Sequence, residues 1–431
     1  PPHPNGIAPM NARADASPAT GFSALDRLLR NRVLDQLRAL RGRAIVLADP
    51  LGCIRTGDAE DAAAPLRIDV HGPGFYRALA ANGSVGAAES YMDGEWDCAD
   101  LVGLVQLLVR NRDLLDAMER GPARIGGWAM RGWNALRRNT RDGARRNIAA
   151  HYDLGNDFFR LFLSEDLMYS SALYAGDDDT LEAASTRKLD RICDKLRLGP
   201  DDHVVEIGTG WGGFAVHAAR TRGCRVTTTT ISREQHALAS QRVADAGLQD
   251  RVTVLLSDYR DLQGQYTKLV SIEMIEAIGA QYLDTYFATL GRLLKPDGLA
   301  LVQAITIEDH RYEQALRSVD FIKRHIFPGS FIPSIAAMLA AKARSSDLAL
   351  VHLEDFGPSY ARTLHDWRER FLARREDVRA QGFDERFLRM WTFYLAYCEG
   401  GFRERSIGVA HVLMAKPGYR GGSYLPGLLE A

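Results

Sequence analysis

Cysteine is scarce and scattered. The five in 431 residues, Cys53, Cys98, Cys193, Cys224 and Cys398, form no C-x-x-C pair, which excludes a disulfide scaffold and the usual zinc spacings and suits a reducing compartment. An excess of one charge is also lacking: 54 Lys and Arg stand against 55 Asp and Glu, a net charge of -1, so nucleic acid is not an expected partner. No apolar run reaches the roughly 18 residues of a spanning helix, and the start, P-P-H-P-N-G-I-A-P-M, has no apolar signal core. These absences predict a cytoplasmic protein. No His, Cys and acid spacing suggests a metal, and no Ser-His-Asp elbow is present. What the chain has is a 46% hydrophobic and 25% charged composition, ordinary for a globular protein of two or three domains.

Residues 1–20, rich in Pro, Ala, Asn and Asp without periodicity, read as a disordered tail. From 21 to 120 come short mixed elements. R-A-I-V-L-A-D-P and L-R-I-D-V-H read as strands, and Phe75 opens a helix, which together predict a small α+β domain. Residues 121–147 form a basic linker, with arginines at 124, 131, 137, 138, 141, 145 and 146 opposed only by Asp142 and interleaved with Trp128, Met130, Trp133 and Leu136. That composition suits a segment lying on an anionic bilayer, and also a solvated helix packing its tryptophans on a neighbour.

From 148 to 431 strands alternate with helices: H-V-V-E-I-G, R-V-T-T-T-T-I-S, R-V-T-V-L-L-S-D, K-L-V-S-I-E-M and G-L-A-L-V-Q-A-I-T. The alternation predicts a parallel, doubly wound α/β sheet. V-H-L-E-D-F and I-G-V-A-H-V-L-M-A-K-P add two late strands, and the helical patterns flanking the first of them should roof the sheet's carboxyl edge, where α/β ligands bind.

The stretch 204–213, V-V-E-I-G-T-G-W-G-G, is a buried strand running into a glycine turn and then a helix. Gly208, Gly210 and Gly213 satisfy G-x-G-x-x-G, the dinucleotide fingerprint. Two features speak against a nicotinamide cofactor. The second strand ends Thr229-Thr230-Ile231-Ser232, where the acid that meets the ribose is expected. Glu206, two residues before the first glycine, would repel a pyrophosphate and attract a cation. S-adenosylmethionine, with its ammonium and sulfonium, meets both conditions.

Over roughly residues 145 to 418 the sequence closely resembles the cyclopropane-fatty-acid synthase family of S-adenosylmethionine-dependent methyltransferases. The resemblance rests on blocks in order: H-Y-D-L-G-N-D-F-F (151–159), M-Y-S-S-A (168–172), E-I-G-T-G-W-G-G, I-S-R-E-Q, E-M-I-E-A-I-G (273–279), I-F-P-G (326–329), Y-A-R-T-L (360–364) and Y-C-E-G-G-F (397–402). The N-terminal domain is similar to that of the phospholipid-acting bacterial members. The resemblance implies a class I methyltransferase fold: a Rossmann-like seven-stranded sheet with helical insertions covering the substrate, beside the smaller N-terminal α+β domain. For the cofactor it implies Tyr169 and Ser170 in contact, Glu206 and the loop Gly208, Thr209, Gly210 and Gly212 around the methionine part, Thr230, Ile231, Ser232 and Gln235 at the ribose, and Tyr259 and Arg260 at the adenine. It also implies a bicarbonate ion acting as base, with Glu276, Tyr360 and Cys398 at that site. Ser171 stands where many members have Cys, and Gln303 where they have His; both can still form hydrogen bonds.

The implied activity is addition of a methyl carbon to the cis double bond of an unsaturated phospholipid acyl chain, giving a cyclopropane, with methylene- or methyl-branched products or methylation of a small amine as alternatives. An alkene is a weak nucleophile, so the reaction needs a sulfonium held in line in a dry pocket, aromatic faces for the carbon cation, and a base for the added methyl. Trp391, Phe393, Tyr394 and Tyr397, with Phe321 and Phe327, are the candidate rings. The resemblance also implies a homodimer in peripheral contact with the inner face of the cell membrane.

Overall fold

The computed structural model describes residues 21–57, 64–113 and 154–422. The basic linker therefore lies outside the described residues. In the N-terminal unit, helix α1 (Ala24–Arg38) starts at a capping box in which Ser23 and Asp26 satisfy each other's backbone amides. Strands β1 (Ile45–Asp49), β2 (Gly52–Thr56), β3 (Leu66–Val70) and β4 (Trp96–Cys98) form a sheet in the order β2-β1-β3-β4. Helices α2 (Gly74–Met92) and α3 (Leu101–Arg110) complete the unit. The predicted strands are β1 and β3, whose apolar residues face the core. The two that the pattern did not reveal are the sheet edges: β2 is largely exposed and β4 has three residues, so neither carries a readable alternation.

After a short helical turn at Asn156–Phe159, the larger unit continues with α4 (Leu181–Lys195), capped by Thr180, and then alternates: β5 (His203–Ile207), α5 (Gly213–Arg222), β6 (Arg225–Thr230), α6 (Arg233–Asp245), β7 (Val252–Leu256), β8 (Tyr266–Ile272), α7 (Leu283–Leu293) and β9 (Leu294–Ile307). Helix α8 (Ile335–Ser345), strand β10 (Ala349–Asp355), helices α9 (Gly357–Ala373) and α10 (Glu385–Arg403), and strand β11 (Ile407–Ala415) follow. Every strand read from the sequence is present. The sheet order is β10-β11-β9-β8-β5-β6-β7, parallel except for β11, which runs antiparallel to both its neighbours. Chain direction across the sheet reverses on either side of β5, which opens a crevice at the carboxyl ends of β5 and β8.

Helix α10 joins the two units. Its Gly400 lets α3 approach so closely that a side chain there would begin 2.6 Å from Val105. Glu404, just past its end, bonds Gln106 at 2.6 Å and Arg110 at 2.9 Å. Arg389 donates to the carbonyls of Tyr91 and Trp96 and to Asp97. Because of this docking, Val105, Val109 and Arg112 of the N-terminal unit line the cavity described below. Among the described residues no helix is long and apolar enough to cross a membrane.

Candidate active site

A cavity of about 410 Å³ lies over the carboxyl ends of β5, β6, β8 and β9 and runs out to α3. Its inner end is built by the glycine loop. Gly208 and Gly210 have φ of 100° and 53°, the left-handed region that favours glycine, and a Cβ on Gly210 would meet open space. The backbone here is thus open to a ligand. Glu206 supplies the charge: it is buried, lines the cavity and has Oε2 without a hydrogen-bond partner. Burial pushes its carboxyl up to about 8, the state of an acid awaiting a cation. An ammonium group answers this need, so the residues present fit the methionine end of S-adenosylmethionine.

Thr230, Ile231, Gln235, Tyr259 and Arg260 line the same end. Arg260 is held by Asp258 at 2.6 Å and lies over the rings of Tyr259 and Tyr282. Asp258 also lines the cavity, a position the sequence reading passed over. Tyr169 and Ser170 are in place; Tyr169 meets the Tyr394 hydroxyl at 2.9 Å, and Ser170 Oγ accepts from the buried Lys188 at 2.9 Å. Two expected contacts stand back from the cavity wall. Gly212 is the left-handed N-cap of α5, wedged against Ala239, and Ser232 caps α6 by accepting from the Gln235 amide at 3.2 Å. Each is needed locally by its helix.

The second centre is Glu273, which the sequence reading quoted in its block but did not single out. Its Oε1 accepts from the Ser171 amide at 2.9 Å and from Gln303 Nε2 at 2.8 Å, and its Oε2 accepts from the Tyr360 hydroxyl at 2.7 Å. Its own backbone has φ 48°, an uncommon conformation for a non-glycine residue and a mark of strain at a functional turn. That strained turn is the signal invisible in sequence.

The groups carried over for bicarbonate are therefore arranged differently from expectation. Ser171 contributes its amide, because its hydroxyl donates to the Ala172 carbonyl. Gln303 sits behind Glu273 and does not line the cavity. Glu276 accepts from the Ile305 amide at 2.5 Å, leaves Oε2 unpartnered and is pushed up to about 8 by burial. Cys398 lines the cavity as a half-buried thiol whose acidity desolvation suppresses. A bicarbonate ion does not fit: Ser171, Gln303 and Tyr360 already serve the Glu273 carboxylate, and a second anion would face it at close range. Of the candidate rings, Tyr394, Tyr397 and Phe327 line the cavity, whereas Trp391, Phe393 and Phe321 pack in the core. Among the described residues no group of acids, His and Cys is gathered to hold a metal.

Buried, raised carboxyls carry a pH signature. In the folded ligand-free protein Glu206 and Glu276 titrate near 8 instead of 4.5, so between about pH 5 and 8 the folded state binds more protons than the unfolded one. Stability is expected to fall as pH rises through that window. Thermal melts at pH 5, 6.5 and 8 test this, and a melting temperature that climbs over the range contradicts it. S-adenosylmethionine should recover part of the loss at pH 8 through Glu206.

A seven-stranded sheet with one antiparallel strand, a glycine turn after β5 and an acid before it define a class I, S-adenosylmethionine-dependent methyltransferase. Comparison with known proteins narrows the class. Residues 139–412 match the model of the mycolic acid cyclopropane synthetase family, and the chain belongs to that family. It is 38% identical to the tuberculostearic acid methyltransferase UfaA1 of Mycobacterium tuberculosis over 95% of both chains. It is 37% identical to the cyclopropane-fatty-acyl-phospholipid synthase of Escherichia coli K12, covering 84% of this chain and 91% of that one. The solved structure of the mycolic acid cyclopropane synthase CmaA1 complexed with SAH and CTAB is 30% identical with a TM-score of 0.59, covering 63% of this chain and 98% of that one.

Proposed function

We propose that the protein adds a methyl carbon to the cis double bond of an unsaturated phospholipid acyl chain and that Glu273 is the base. The observation that carries the second point is the half-buried Glu273 carboxylate, met by three donors at the edge of the cavity. S-adenosylmethionine, when bound at Glu206 and the glycine loop, supplies an electrophilic methyl group. The residues of the chain do the rest. The apolar wall from Ile305 and Phe327 to Val105 and Val109 receives the acyl chain and excludes water. Tyr394, Tyr397 and Phe327 offer ring faces to the carbon cation left on the alkene, each worth up to about 2 kcal/mol when desolvated. Glu273 takes a proton from the added methyl, and the freed C–H electron pair closes the three-membered ring. A proton beside a cation is strongly acidic, so a weak carboxylate base in the right place suffices.

A second reading ends the same cation differently: a hydride moves first from the methyl-bearing carbon to the cationic one, and the proton then lost from the methyl leaves a methylene branch on the open chain. The departures at Ser171 and Gln303, and a relative over 95% of the chain that is named a methyltransferase and not a cyclopropane synthase, favour giving it weight. The two products are isomers. Incubation with labelled methyl donor and vesicles of unsaturated phospholipid, followed by proton NMR of the fatty esters, separates them by the high-field ring protons. No label in lipid refutes both. Membrane contact is proposed through the basic linker and the channel mouth, and co-sedimentation with anionic vesicles should weaken as salt rises.

A further inference from the structure

Behind Glu273 runs a row of buried polar groups that no step above uses. Gln303 reaches Glu273 with Nε2 and holds His411 Nε2 with Oε1 at 2.9 Å. His411 Nδ1 lies 3.0 Å from Lys195 Nζ, and Lys195 pairs with Glu354 at 2.5 Å. Gln303, His411 and Lys195 are essentially without solvent exposure, while Glu354 reaches the surface side of β10 and is also held by Arg191. Helix α4 and strands β9, β10 and β11 thus each contribute one member.

The row has a direction. Glu354 keeps Lys195 as an ammonium, which can only donate, so Nδ1 of His411 must accept and the ring proton sits on Nε2. Nε2–H then donates to Gln303 Oε1, which turns the amide NH2 toward Glu273. With the amide reversed, Oε1 would face the carboxylate, acceptor against acceptor, a geometry tolerable only once Glu273 carries a proton. We propose that Lys195 and His411 are positioning residues that lock the Gln303 amide and so keep Glu273 unprotonated and competent as a base. This rests on the reading of Glu273 as the base.

Such a lock has work to do. Desolvation raises the Glu273 carboxyl, and two further acids, the buried Glu206 and the half-buried Glu276, lie about the same cavity. Lys188 of α4 opposes them, while Tyr360 of α9 and Tyr394 and Cys398 of α10 face the site as neutral groups. On the far side, Glu354 held at about 2 and Lys195 at about 8 remain an ion pair at neutral pH, with His411 kept uncharged by burial. His352 and Arg191 lie beside that pair.

The test compares His411→Phe, Lys195→Met and His411→Gln in the full-length enzyme. Phe fills the ring's space without a donor; Gln returns an amide donor near Nε2. His411→Phe and Lys195→Met are expected to lower kcat by about 10-fold on its acid limb and far less on the plateau above it, the most that a one-unit rise in the pKa of the base produces. The acid limb of kcat should move up by about one pH unit, KM for S-adenosylmethionine should hold, and His411→Gln should recover most of the loss. Folding of each variant is read from its S-adenosylmethionine affinity. A variant that binds the cofactor normally yet keeps wild-type kcat on the acid limb, or loses kcat equally at every pH, overturns the proposal. Nitrogen-15 NMR of histidine-labelled wild type gives an answer independent of activity: His411 must carry its proton on Nε2, and a proton on Nδ1 overturns the proposal even in an active enzyme. Wild type without methyl transfer to lipid would instead refute the function on which it rests.

Discussion

Glu273→Gln is expected to lower turnover by about three orders of magnitude, within the range that a positioned general base contributes, while the affinity for S-adenosylmethionine stays within about twofold. The amide fills the same space and can keep its oxygen on the Ser171 and Gln303 donors while its NH2 donates to the Tyr360 hydroxyl oxygen, so folding is not at stake; what is lost is the carboxylate that takes the methyl proton. The informative comparison is Glu276→Gln. Family resemblance points to Glu276, but its carboxyl is raised to about 8 and is therefore largely protonated at neutral pH. An amide is close to isosteric and isoelectronic with that form, so this variant should retain activity within about tenfold. Single-turnover transfer of a labelled methyl to unsaturated phospholipid measures both. If Glu276→Gln is the dead variant and Glu273→Gln the active one, the base has been misassigned.

Glu206→Gln should weaken S-adenosylmethionine binding by roughly 10- to 100-fold, the worth of about 1.5–3 kcal/mol for a hydrogen bond to a charged group. The sign of the accompanying proton exchange follows from burial. At pH 7 a carboxyl raised to about 8 is mostly protonated before the cofactor arrives, and an approaching ammonium pulls its affinity for protons down. Binding must therefore release a proton from Glu206. Calorimetry in two buffers of different ionisation enthalpy reads that release directly, and the variant should show less of it. Equal affinity of variant and wild type, with equal proton exchange, would remove Glu206 from the cofactor site.

Both predictions turn on carboxylates, and the two differ in how visible they are in sequence. Glu206 stands two residues before a glycine turn, on a strand whose neighbours are Val, Val and Ile. The local pattern alone places it at a strand end facing the ligand. Glu273 and Glu276 share one block, and nothing in E-M-I-E tells which carboxylate meets the reacting carbon. The answer depends on a left-handed turn at Glu273 and on donors brought from residues 171, 303 and 360. Gly212 and Ser232 show the converse. Their residue types are right for a ligand loop, but a glycine N-cap and a serine N-cap are equally what α5 and α6 require.

The succession of strands along the chain, the glycine turn and the acid before it were legible in the chain read in isolation, because buried parallel strands and tight turns are governed by short-range pattern and backbone sterics. Which glutamate gathers three donors, which way Ser171 and Gln303 point, and that α3 of the N-terminal unit lines the channel were decided only by the tertiary structure. Those properties belong to groups a hundred or more residues apart along the chain in several cases, and a hydrogen bond exists only where folding brings donor and acceptor within 3 Å or so of each other.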